Sequence, residues 1–347
     1  EAFIIDEERL TGGALFFRLG SLPVVSMYPR GHCFRPWVFS GYLSYLEATM
    51  LVDFGARTME FPKPNFGHLR ESNDALGDVI ELRRRLSQDG YLFVRSLINR
   101  DAILNARNTI LEYMAEREVL APDTAVLEGV MPIGGKSINM LGKPAITHQK
   151  NVLRVLEAPE LFSFFHDLYD EGSSTFGYKW LRAVGNEQFT GAHCDVVYMG
   201  RGSERVNTVW IPLDDIPIAK GTLAICEGSN RLDGFAKLRE TYGRMDVDRD
   251  HVEGWFTNDP LEILDDFGGR WLTADMNAGD LLTFGLYTMH ASTTNTTNNF
   301  RLSCDVRFQP ESEPMDERWA GQKPQGHYAW MKAPMVSIAQ ARKQWGV

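Results

Sequence analysis

Apolar positions with the period of a helix dominate the chain between residues 74 and 169. From residue 74 to residue 86 they recur on one helix face, and the pair Asp89-Gly90 provides a stop. Asp101 is a suitable N-cap for a second helix. The apolar residues of this second helix are Ala102, Ile103, Ala106, Ile110 and Met114. A third helix is predicted over residues 158–169, and residues 91–94 predict a short strand.

After Gly172 the pattern changes to short runs of β-branched and aromatic residues that are bounded by turn residues. These runs predict strands at residues 178–184, 193–199, 208–213, 222–227, 280–284 and 302–308. Many short strands at this spacing are typical of a β-sandwich or a jelly roll, in which a ligand can bind between two sheets. We therefore predict a mainly β fold with flanking helices.

One long segment interrupts this series of strands. Residues 234–275 are polar and partly helical in pattern, and they include Trp255, Phe256 and Trp271. A long insertion in a compact domain is usually a lid, a binding loop or disorder. Because the segment falls between the two candidate metal-binding segments described below, we predict that part of it borders the active site as a lid.

The pattern divides the chain into three parts. Residues 1–75 carry short apolar pieces between glycines and prolines, and we interpret them as an N-terminal extension. Residues 76–310 form the predicted domain, and residues 311–347 form a tail that packs on it. The aromatic residues of the tail, which we expect to serve packing, include Trp319, Tyr328, Trp330 and Trp345.

Composition narrows the class of partner. The chain has 347 residues, of which 44% are hydrophobic, so it can bury a sizeable core. The formal net charge of −10 argues against nucleic acid or an anionic membrane as a partner. The cysteines form no CxxC motif, so we expect a reducing compartment, the cytoplasm. No apolar run approaches the roughly 20 residues of a membrane span. We expect a small-molecule substrate, and the oligomeric state stays open.

Two His-x-acid pairs occur in the chain. His193 and Asp195 lie in a predicted strand, where residues two apart share a face and their Cα atoms are about 6–7 Å apart. Both side chains could therefore reach one metal ion. His251 and Glu253 lie in a charged stretch without alternation, and in a helix they would point about 200° apart. We interpret this second pair as surface.

A third candidate ligand, His290, follows the apolar run 281–286. A polar loop over residues 293–299 then leads to Arg301, and as a hairpin this segment would place Arg301 beside His290. Ser292 and Ser303 each lie two residues beyond one of these positions, and so on the same face of an extended chain. A hydroxyl group beside the guanidinium group would complete a carboxylate-binding site.

These residues form a set with a defined chemistry. Two histidines and one carboxylate are the facial triad that holds non-haem Fe(II) and leaves coordination positions open. An arginine can bind a carboxylate through two parallel hydrogen bonds. His193, Asp195 and His290, with Arg301 for a dicarboxylate co-substrate, predict an oxygenase that uses Fe(II), 2-oxoglutarate and O2.

Motifs over a larger stretch carry a family resemblance. They are residues 208–215, Lys220-Gly221-Thr222-Leu223, Glu227-Gly228-Ser229-Asn230, Ala278-Gly279-Asp280, Met289-His290-Ala291-Ser292 and Phe300-Arg301-Leu302-Ser303. The stretch from Gly191 to Phe308 resembles the phytanoyl-CoA dioxygenase-like branch of the Fe(II)/2-oxoglutarate oxygenases, and residues 89–94 resemble its entry strand. Asn230 stands where many relatives have histidine, so no role of that histidine is carried over.

The resemblance implies a double-stranded β-helix core, the jelly roll of cupin-like proteins. It also implies that His193, Asp195 and His290 bind iron, while Arg301 binds the distal carboxylate of 2-oxoglutarate with the help of Ser292. By the same resemblance Trp210 lines the co-substrate pocket, whereas the role of Ser303 is our own geometric inference.

The implied reaction is oxidation of a substrate C–H bond, most simply hydroxylation, with release of succinate and CO2. Related halogenases have a small residue at the position of Asp195. A carboxylate there favours hydroxylation, desaturation or another oxidative rearrangement. The substrate is expected to be a small or medium-sized organic molecule, and its identity stays open.

Two functions of other classes are alternatives. A non-catalytic jelly-roll binding module could keep a vestigial or structural metal, although the complete triad with Arg301 argues against it. A cupin-type metal-dependent isomerase or hydrolase would not need Arg301 and would form no succinate.

Overall fold

The computed structural model describes residues 48–135, 137–327 and 334–347. Residues 1–47 of the predicted N-terminal extension lie outside these ranges, and so do the tail residues Tyr328 and Trp330.

Short strands make up the centre of the molecule. The strands are β1 Met50–Phe54, β2 Arg57–Phe61, β3 Phe66–His68, β4 Tyr91–Val94, β5 Ser173–Thr175, β6 Trp180–Val184, β7 Asn207–Pro212, β8 Leu223–Cys226, β9 Trp271–Thr273, β10 Leu281–Gly285, β11 His290–Ser292 and β12 Arg301–Pro310.

These strands form two facing sheets of a jelly roll and a separate hairpin. The larger sheet has the order β4-β10-β7-β12, and β12 continues to β5 and β6, with every pair antiparallel. The smaller sheet has the order β11-β8-β9-β3, in which β3 and β9 are parallel. Strands β1 and β2 form the hairpin. The prediction of a mainly β jelly roll with flanking helices is confirmed.

The helices lie between and around these strands. The α-helices are α1 Val79–Asp89, α2 Arg100–Ala115, α3 Pro144–Thr147, α4 Lys150–Leu156, α5 Pro159–Tyr169, α6 Val196–Met199, α7 Ala236–Glu240, α8 Val247–Asp250, α9 Pro260–Phe267 and α10 Ile338–Trp345. Short 3-10 helices cover Asn73–Ala75, Val126–Glu128, Asp233–Phe235 and Tyr242–Arg244. None of the helices in the described ranges combines the length and the apolar character that crossing a membrane requires.

Strand β12 explains why the larger sheet is buried on both faces. Successive side chains of a strand point to opposite faces. The alternate residues Leu302, Cys304, Val306 and Phe308 join the core that packs against helices α1, α2, α4 and α5. The residues between them are polar and buried, and they are Arg301, Ser303, Asp305, Arg307 and Gln309. A polar row therefore faces the space between the sheets.

The structure agrees with the third predicted helix but not with the predicted N-cap of the second. The third predicted helix is α5, which begins directly after Ala158. The predicted cap of the second helix is wrong, because the side chain of Asn99, and not of Asp101, accepts a hydrogen bond from the backbone N–H of Ala102. Asp101 lies in the first turn, where its negative charge favours the helix N-terminus.

The predicted hairpin that joined His290 to Arg301 is also wrong. Strand β11 pairs with β8 in the smaller sheet, whereas β12 pairs with β7 in the larger sheet. In this jelly roll the chain passes from one sheet to the other between these two strands. His290 and Arg301 consequently face each other across the space between the sheets.

Two strands of the smaller sheet lie in segments that the sequence analysis placed outside the core. Strand β3 lies inside the predicted extension, residues 1–75, and strand β9 lies inside the predicted insertion, residues 234–275. The two strands pair with each other, and β9 also pairs with β8. Both segments therefore contribute to the core. The part of the insertion before β9 contains α7, α8 and α9 with 3-10 helices and irregular chain between them.

Candidate metal centre

His193 and Asp195 lie where the chain leaves extended structure. His193 pairs with His290 through two backbone hydrogen bonds of 3.0 Å each. Asp195 then has helical backbone angles at the start of α6, and its carbonyl accepts hydrogen bonds from the backbone N–H groups of Tyr198 and Met199. The strand predicted over residues 193–199 is therefore wrong. Its β-branched residues Val196 and Val197 are buried, so tertiary packing overrides their strand propensity.

The three candidate ligands nevertheless converge. The Nε2 atom of His193 lies 3.7 Å from Oδ1 of Asp195, and Nε2 of His290 lies 3.8 Å from the same oxygen. One ligand atom from each residue lies within 4.8 Å of the others, and all three residues are buried. Within the described ranges, this is the group of histidine, cysteine and acidic side chains that could hold a metal ion.

Backbone carbonyl groups orient both imidazole rings. Nδ1 of His193 lies 2.8 Å from the carbonyl oxygen of Gly191, and Nδ1 of His290 lies 3.0 Å from that of Thr288. Each Nδ1–H can donate to its carbonyl, which leaves the Nε2 lone pair for a metal. Burial and the neighbouring His290 lower the pKa of His193 to about 3. Burial also lowers the pKa of His290. Both rings are thus neutral, as metal ligands must be.

The two oxygens of Asp195 have different partners. Oδ2 accepts a hydrogen bond from Thr208 and another, of 2.9 Å, from Nη2 of Arg307. Oδ1 faces the two histidines. Burial by itself raises the pKa of Asp195, but Arg307, the two histidines and the hydrogen bond from Thr208 together outweigh it and hold the pKa below its ordinary value. The carboxylate is therefore ionised and can offer one oxygen to a metal while the protein holds the other.

Arg301 is buried and has no carboxylate partner among the residues that the structure describes. Its side chain lies in β12, and the residue is 1% exposed. Nη1 donates a hydrogen bond of 2.7 Å to Oγ of Ser303, while Nε has no hydrogen-bond partner in the described ranges. Burial, with a contribution from Arg182, lowers the pKa of Arg301 to about 9. A bound carboxylate would supply the charge and the acceptors that this guanidinium group lacks.

The other predicted co-substrate residues lie around Arg301. A narrow cavity reaches from the two histidines to Arg301, and its wall includes Trp210 and Ser292. The ring centre of Trp210 lies 5.8 Å from Cζ of Arg301. Oγ of Ser292 accepts a hydrogen bond of 2.8 Å from the backbone of Thr190. The structure thus brings Trp210, Ser292 and Arg301 to one cavity, and Ser303 contacts Arg301 from behind the cavity wall. The binding roles of all four residues stay predictions.

A second, larger cavity opens on the other side of His193 and Asp195. It has a volume of about 400 Å³. Its aromatic wall consists of Tyr178, Trp180, Phe189, Tyr198, Trp255 and Trp319. Trp255 belongs to the predicted insertion and Trp319 to the predicted tail. Residues from the insertion also pair with Ala192, beside His193, through hydrogen bonds of 2.7 Å from Ala192 N–H to Thr257 and from Phe256 N–H to Ala192.

The pair His251 and Glu253 lies outside the metal-binding group, and both residues are partly exposed. His251 follows α8, and Oε2 of Glu253 accepts a hydrogen bond from the backbone of Ile338 at the start of α10. Glu253 therefore helps to hold the tail.

Sequence reasoning missed Arg182, Thr208, Asp305 and Arg307, which also line the narrow cavity. Asp305 and Arg307 had a visible signal, because they continue the alternation that begins with Arg301 and Ser303. Arg182 and Thr208 had none, since polar residues in a strand usually mark a solvent-facing side.

Comparison with known proteins gives the family. The description of the matching family is "Phytanoyl-CoA dioxygenase (PhyH)", and the match covers residues 86–303, more than half of the chain. It includes His193, Asp195, His290 and Arg301. The sequence resemblance to this family is thus confirmed.

Solved structures are similar over most of the chain. EctD from S. alaskensis, in its apoform, has 14% identity and a TM-score of 0.51, and the match covers 84% of this chain and 95% of EctD. The likeness to EctD is one of fold.

Two proteins of nogalamycin biosynthesis also match. The carbocyclase SnoK has 15% identity and a TM-score of 0.49, with 74% of this chain and 92% of SnoK covered. The epimerase SnoN, in complex with Fe3+, alpha ketoglutarate and nogalamycin RO, has 18% identity and a TM-score of 0.46, with 75% and 94% covered. Both are described as non-heme, alpha ketoglutarate dependent enzymes.

Three observations agree. The ligand atoms of a metal site are buried together, the guanidinium group of Arg301 has an unpaired donor in the described ranges, and the family match covers the same residues. The chain belongs to the phytanoyl-CoA dioxygenase family and is an iron- and 2-oxoglutarate-dependent oxygenase.

Proposed function

We propose that this oxygenase hydroxylates a C–H bond of a small or medium-sized organic substrate, with His193, Asp195 and His290 as the ligands of Fe(II). The observation that carries the proposal is the convergence of two neutral Nε2 atoms and one carboxylate oxygen beside a cavity of about 400 Å³. The donor set is that of non-haem iron sites, which leave coordination positions open for other ligands.

The co-substrate would lie in the narrow cavity between the sheets. Arg301 binds its distal carboxylate, Ser303 orients the guanidinium group, and Ser292 and Trp210 close the walls. When bound, iron and 2-oxoglutarate supply the oxidising power, as the co-substrate is converted with O2 to succinate and CO2. The residues of this chain bind and orient the iron, the co-substrate and the substrate, and they exclude water.

Asp195 bears on the type of oxidation. One of its oxygens is held by Thr208 and Arg307, which fixes the other toward the histidines. A carboxylate at this position occupies the place that related halogenases leave for a halide. This favours oxidation of the substrate without halogenation.

Part of the insertion would act as a lid. Trp255 lines the larger cavity, and the neighbouring residues 256 and 257 pair with Ala192 beside His193. A segment in this place can shield a reacting centre from water and select the substrate. Its charged and aromatic residues suit contact with substrate on one side and water on the other.

We further propose that the protein works in the cytoplasm on a freely diffusing substrate. Cys194, Cys226 and Cys304 are buried as free thiols, which suits a reducing compartment.

Iron binding and succinate formation test the proposed function together. The purified protein is loaded with Fe(II) and 2-oxoglutarate under argon, and the visible absorption of the Fe(II)–2-oxoglutarate chelate is recorded. Succinate is measured after O2 is admitted. His193→Ala should lose the chelate absorption and succinate formation while keeping its circular dichroism spectrum, because it removes one of three ligands.

His251→Ala is the matched control, since His251 belongs to the other His-x-acid pair. It should keep both signals. Equal loss in the two variants, or succinate formation without His193, would contradict the ligand assignment. Once a substrate is found, a product heavier by one oxygen atom from labelled O2 would support hydroxylation, and an unchanged mass would contradict it.

A further inference from the structure

A second buried arginine, Arg307, borders the reaction site and has hydrogen-bond donors without a partner in the described part of the chain. The residue is 2% exposed and lies six positions after Arg301 on the same face of β12. Its Nη2 donates to Asp195, but Nε and Nη1 make no hydrogen bond within the described ranges. Its guanidinium carbon lies 4.0 Å above the ring centre of Trp180. Arg307 borders both the narrow cavity and the larger one.

Unpaired donors on a buried cation indicate a ligand that the protein chain does not provide. A guanidinium group that loses water without gaining acceptors destabilises the fold, so buried arginines are normally fully paired. Contact with Asp195 uses one nitrogen of Arg307. The nearest other carboxylate is Asp305, whose Oδ2 lies 3.9 Å from Nη1, and that oxygen accepts its hydrogen bond from another arginine.

This other arginine is Arg182 on β6. Its Nε donates to Oδ2 of Asp305 at 2.8 Å, and its side chain is 28% exposed. Arg182, like Arg307, borders both cavities. Asp305 thus lies between two arginines and can neutralise the charge of only one.

Counting the charges around the centre gives one uncompensated positive charge. Arg182, Arg301 and Arg307 contribute three positive charges, and Asp195 and Asp305 contribute two negative ones. The neutral histidines contribute none, and the two charges of Fe(II) cancel the two of 2-oxoglutarate. A substrate with a single negative charge would therefore make the closed site neutral.

The walls of the larger cavity indicate the rest of such a substrate. The cavity is surrounded by the aromatic rings of Tyr178, Trp180, Tyr198, Trp255 and Trp319. The ring centres of Trp180 and Trp319 are 4.9 Å apart. Aromatic walls favour flat apolar groups, because both stacking on the rings and burial from water stabilise the bound group.

We propose that the substrate is a monocarboxylic acid with a flat, apolar body, and that Arg307 binds its carboxylate with Arg182 as the second cation. This inference rests on the proposed function and specifies its substrate class. Arg307 then has two partners, because it holds Oδ2 of Asp195 with one nitrogen and the substrate with the others. The body of the substrate lies against the aromatic walls.

Acid and amide pairs of the same shape test the proposal. Benzoate, phenylacetate, 3-phenylpropanoate and indole-3-acetate are compared with their primary amides. Each is titrated under argon into protein loaded with Fe(II) and saturating 2-oxoglutarate, so that Arg301 is already occupied. Binding is followed by the fluorescence of the tryptophans in the cavity wall. In the wild-type protein at least one acid should bind ten or more times tighter than its amide.

The variants separate anion binding from the contact with Asp195. Arg307→Gln should weaken the binding of that acid at least tenfold and leave the binding of its amide unchanged, and Arg182→Gln should cause a smaller loss. Each variant is measured at Fe(II) and 2-oxoglutarate concentrations that saturate its own chelate, so that a weaker hold on Asp195 does not enter the comparison of acid with amide. Arg100→Gln, which removes an exposed arginine paired with Asp215, should change nothing.

The proposal would be overturned if amides bound as tightly as acids, if neither bound, or if the preference for acids survived in Arg307→Gln. It would also be overturned if Arg307→Gln weakened acid and amide equally, because that pattern indicates a structural role. Absence of the chelate in the wild-type protein would instead contradict the proposed function, and the comparison of acids with amides reports separately on the anion site.

Discussion

Arg301 and Arg318 are both buried, yet their surroundings are opposite. Arg318 is 2% exposed, and it donates to Asp248 at 2.5 Å, to Asp316 at 2.5 Å and to Asp246 at 3.4 Å. Arg301 is 1% exposed and donates to the neutral hydroxyl group of Ser303. Arg318 contacts three carboxylates, and Arg301 has none within ion-pair distance in the described ranges.

The two pKa values move apart for this reason. Burial alone lowers the pKa of either arginine, because it disfavours the charged form. Around Arg318 the hydrogen bonds and charges of Asp316 and Asp248 outweigh burial, and the pKa is raised. Around Arg301 burial dominates, and the pKa falls to about 9.

The comparison separates a structural charge from a binding charge. Arg318 joins the segment after β12 to α8 of the insertion, because Asp316 belongs to the first and Asp248 to the second. Its charge is compensated inside the protein. Arg301 has no such partner in the described ranges, and under the proposed function a bound anion would compensate its charge. The same substitution at both positions should therefore have opposite effects.

The largest expected effect is on co-substrate binding. Arg301→Met should raise the 2-oxoglutarate concentration needed for half-saturation by roughly two to four orders of magnitude, because loss of one partner of a buried charge pair costs about 3–5 kcal/mol. The melting temperature of the ligand-free protein should not fall, since an unpaired charge is removed. Chelate titration under argon and differential scanning calorimetry measure the two quantities. An unchanged requirement for 2-oxoglutarate would contradict the assignment of Arg301.

Next in size is the loss of stability at the other arginine. Arg318→Met should lower the free energy of unfolding by about 3–5 kcal/mol, because it leaves buried carboxylates without their cation. Where the variant folds, its 2-oxoglutarate affinity should match that of the wild-type protein. Urea unfolding followed by fluorescence measures the change.

Asp316→Asn provides a milder test at the same cluster, and it should also destabilise without changing 2-oxoglutarate affinity. A stable Arg318→Met variant would show that the cluster contributes little to folding.

The same cluster predicts a dependence of stability on acid pH. Burial raises the pKa of Asp246, but the hydrogen bond from Arg201, those from backbone N–H groups and the charge of Arg318 together outweigh it and lower the pKa from 3.8 to about 2. The carboxylate therefore stabilises the fold above its ordinary pKa, and this contribution is lost as the pH falls toward 2. A pKa difference of this size between the unfolded and the folded protein corresponds to about 2 kcal/mol in the free energy of unfolding.

Asp246→Asn should accordingly reduce stability at pH 6 and flatten its dependence on pH between about 4 and 2, relative to the wild-type protein. Urea unfolding at several pH values measures the slope. An equal slope in both proteins would exclude Asp246 as its source.

The smallest effect on stability is expected at Trp255, which belongs to the same insertion as Asp246 but faces the reaction cavity. Its side chain is 44% exposed, so Trp255→Ala should change the melting temperature little. If the segment acts as a lid, the variant should form several-fold more succinate per substrate oxidised. Assays of both products measure this coupling, and unchanged coupling would place Trp255 outside the chemistry.

Much of the site could be predicted from single residues and short spacings. His193, Asp195 and His290 are the residue types that iron requires, and Arg301 with Ser303 lies on one face of a strand whose period is two. Many short strands between turn residues predicted a β-sandwich or a jelly roll, and the family resemblance favoured the jelly roll. These features are local, so a sequence determines them without knowledge of distant contacts.

Other features depended on contacts between residues far apart in the chain. The turn of helix after Asp195 replaced a predicted strand because Val196 and Val197 pack into a core with side chains from the insertion. Strands β11 and β12 entered different sheets, although their sequences allowed a hairpin. Strand propensity could not resolve either case, because both conformations satisfy local preferences and only long-range packing separates them.

The sequence by itself determined which residues could bind iron and 2-oxoglutarate, since ligand chemistry belongs to the residue type. The tertiary structure decided which charges are compensated. Asp248 and Arg318 are 70 positions apart, and Asp195 and Arg307 are 112 apart, yet each pair is in direct contact. Whether a buried arginine is structural or binds a ligand depends on which acceptors the fold brings to it, and a sequence does not record those distances.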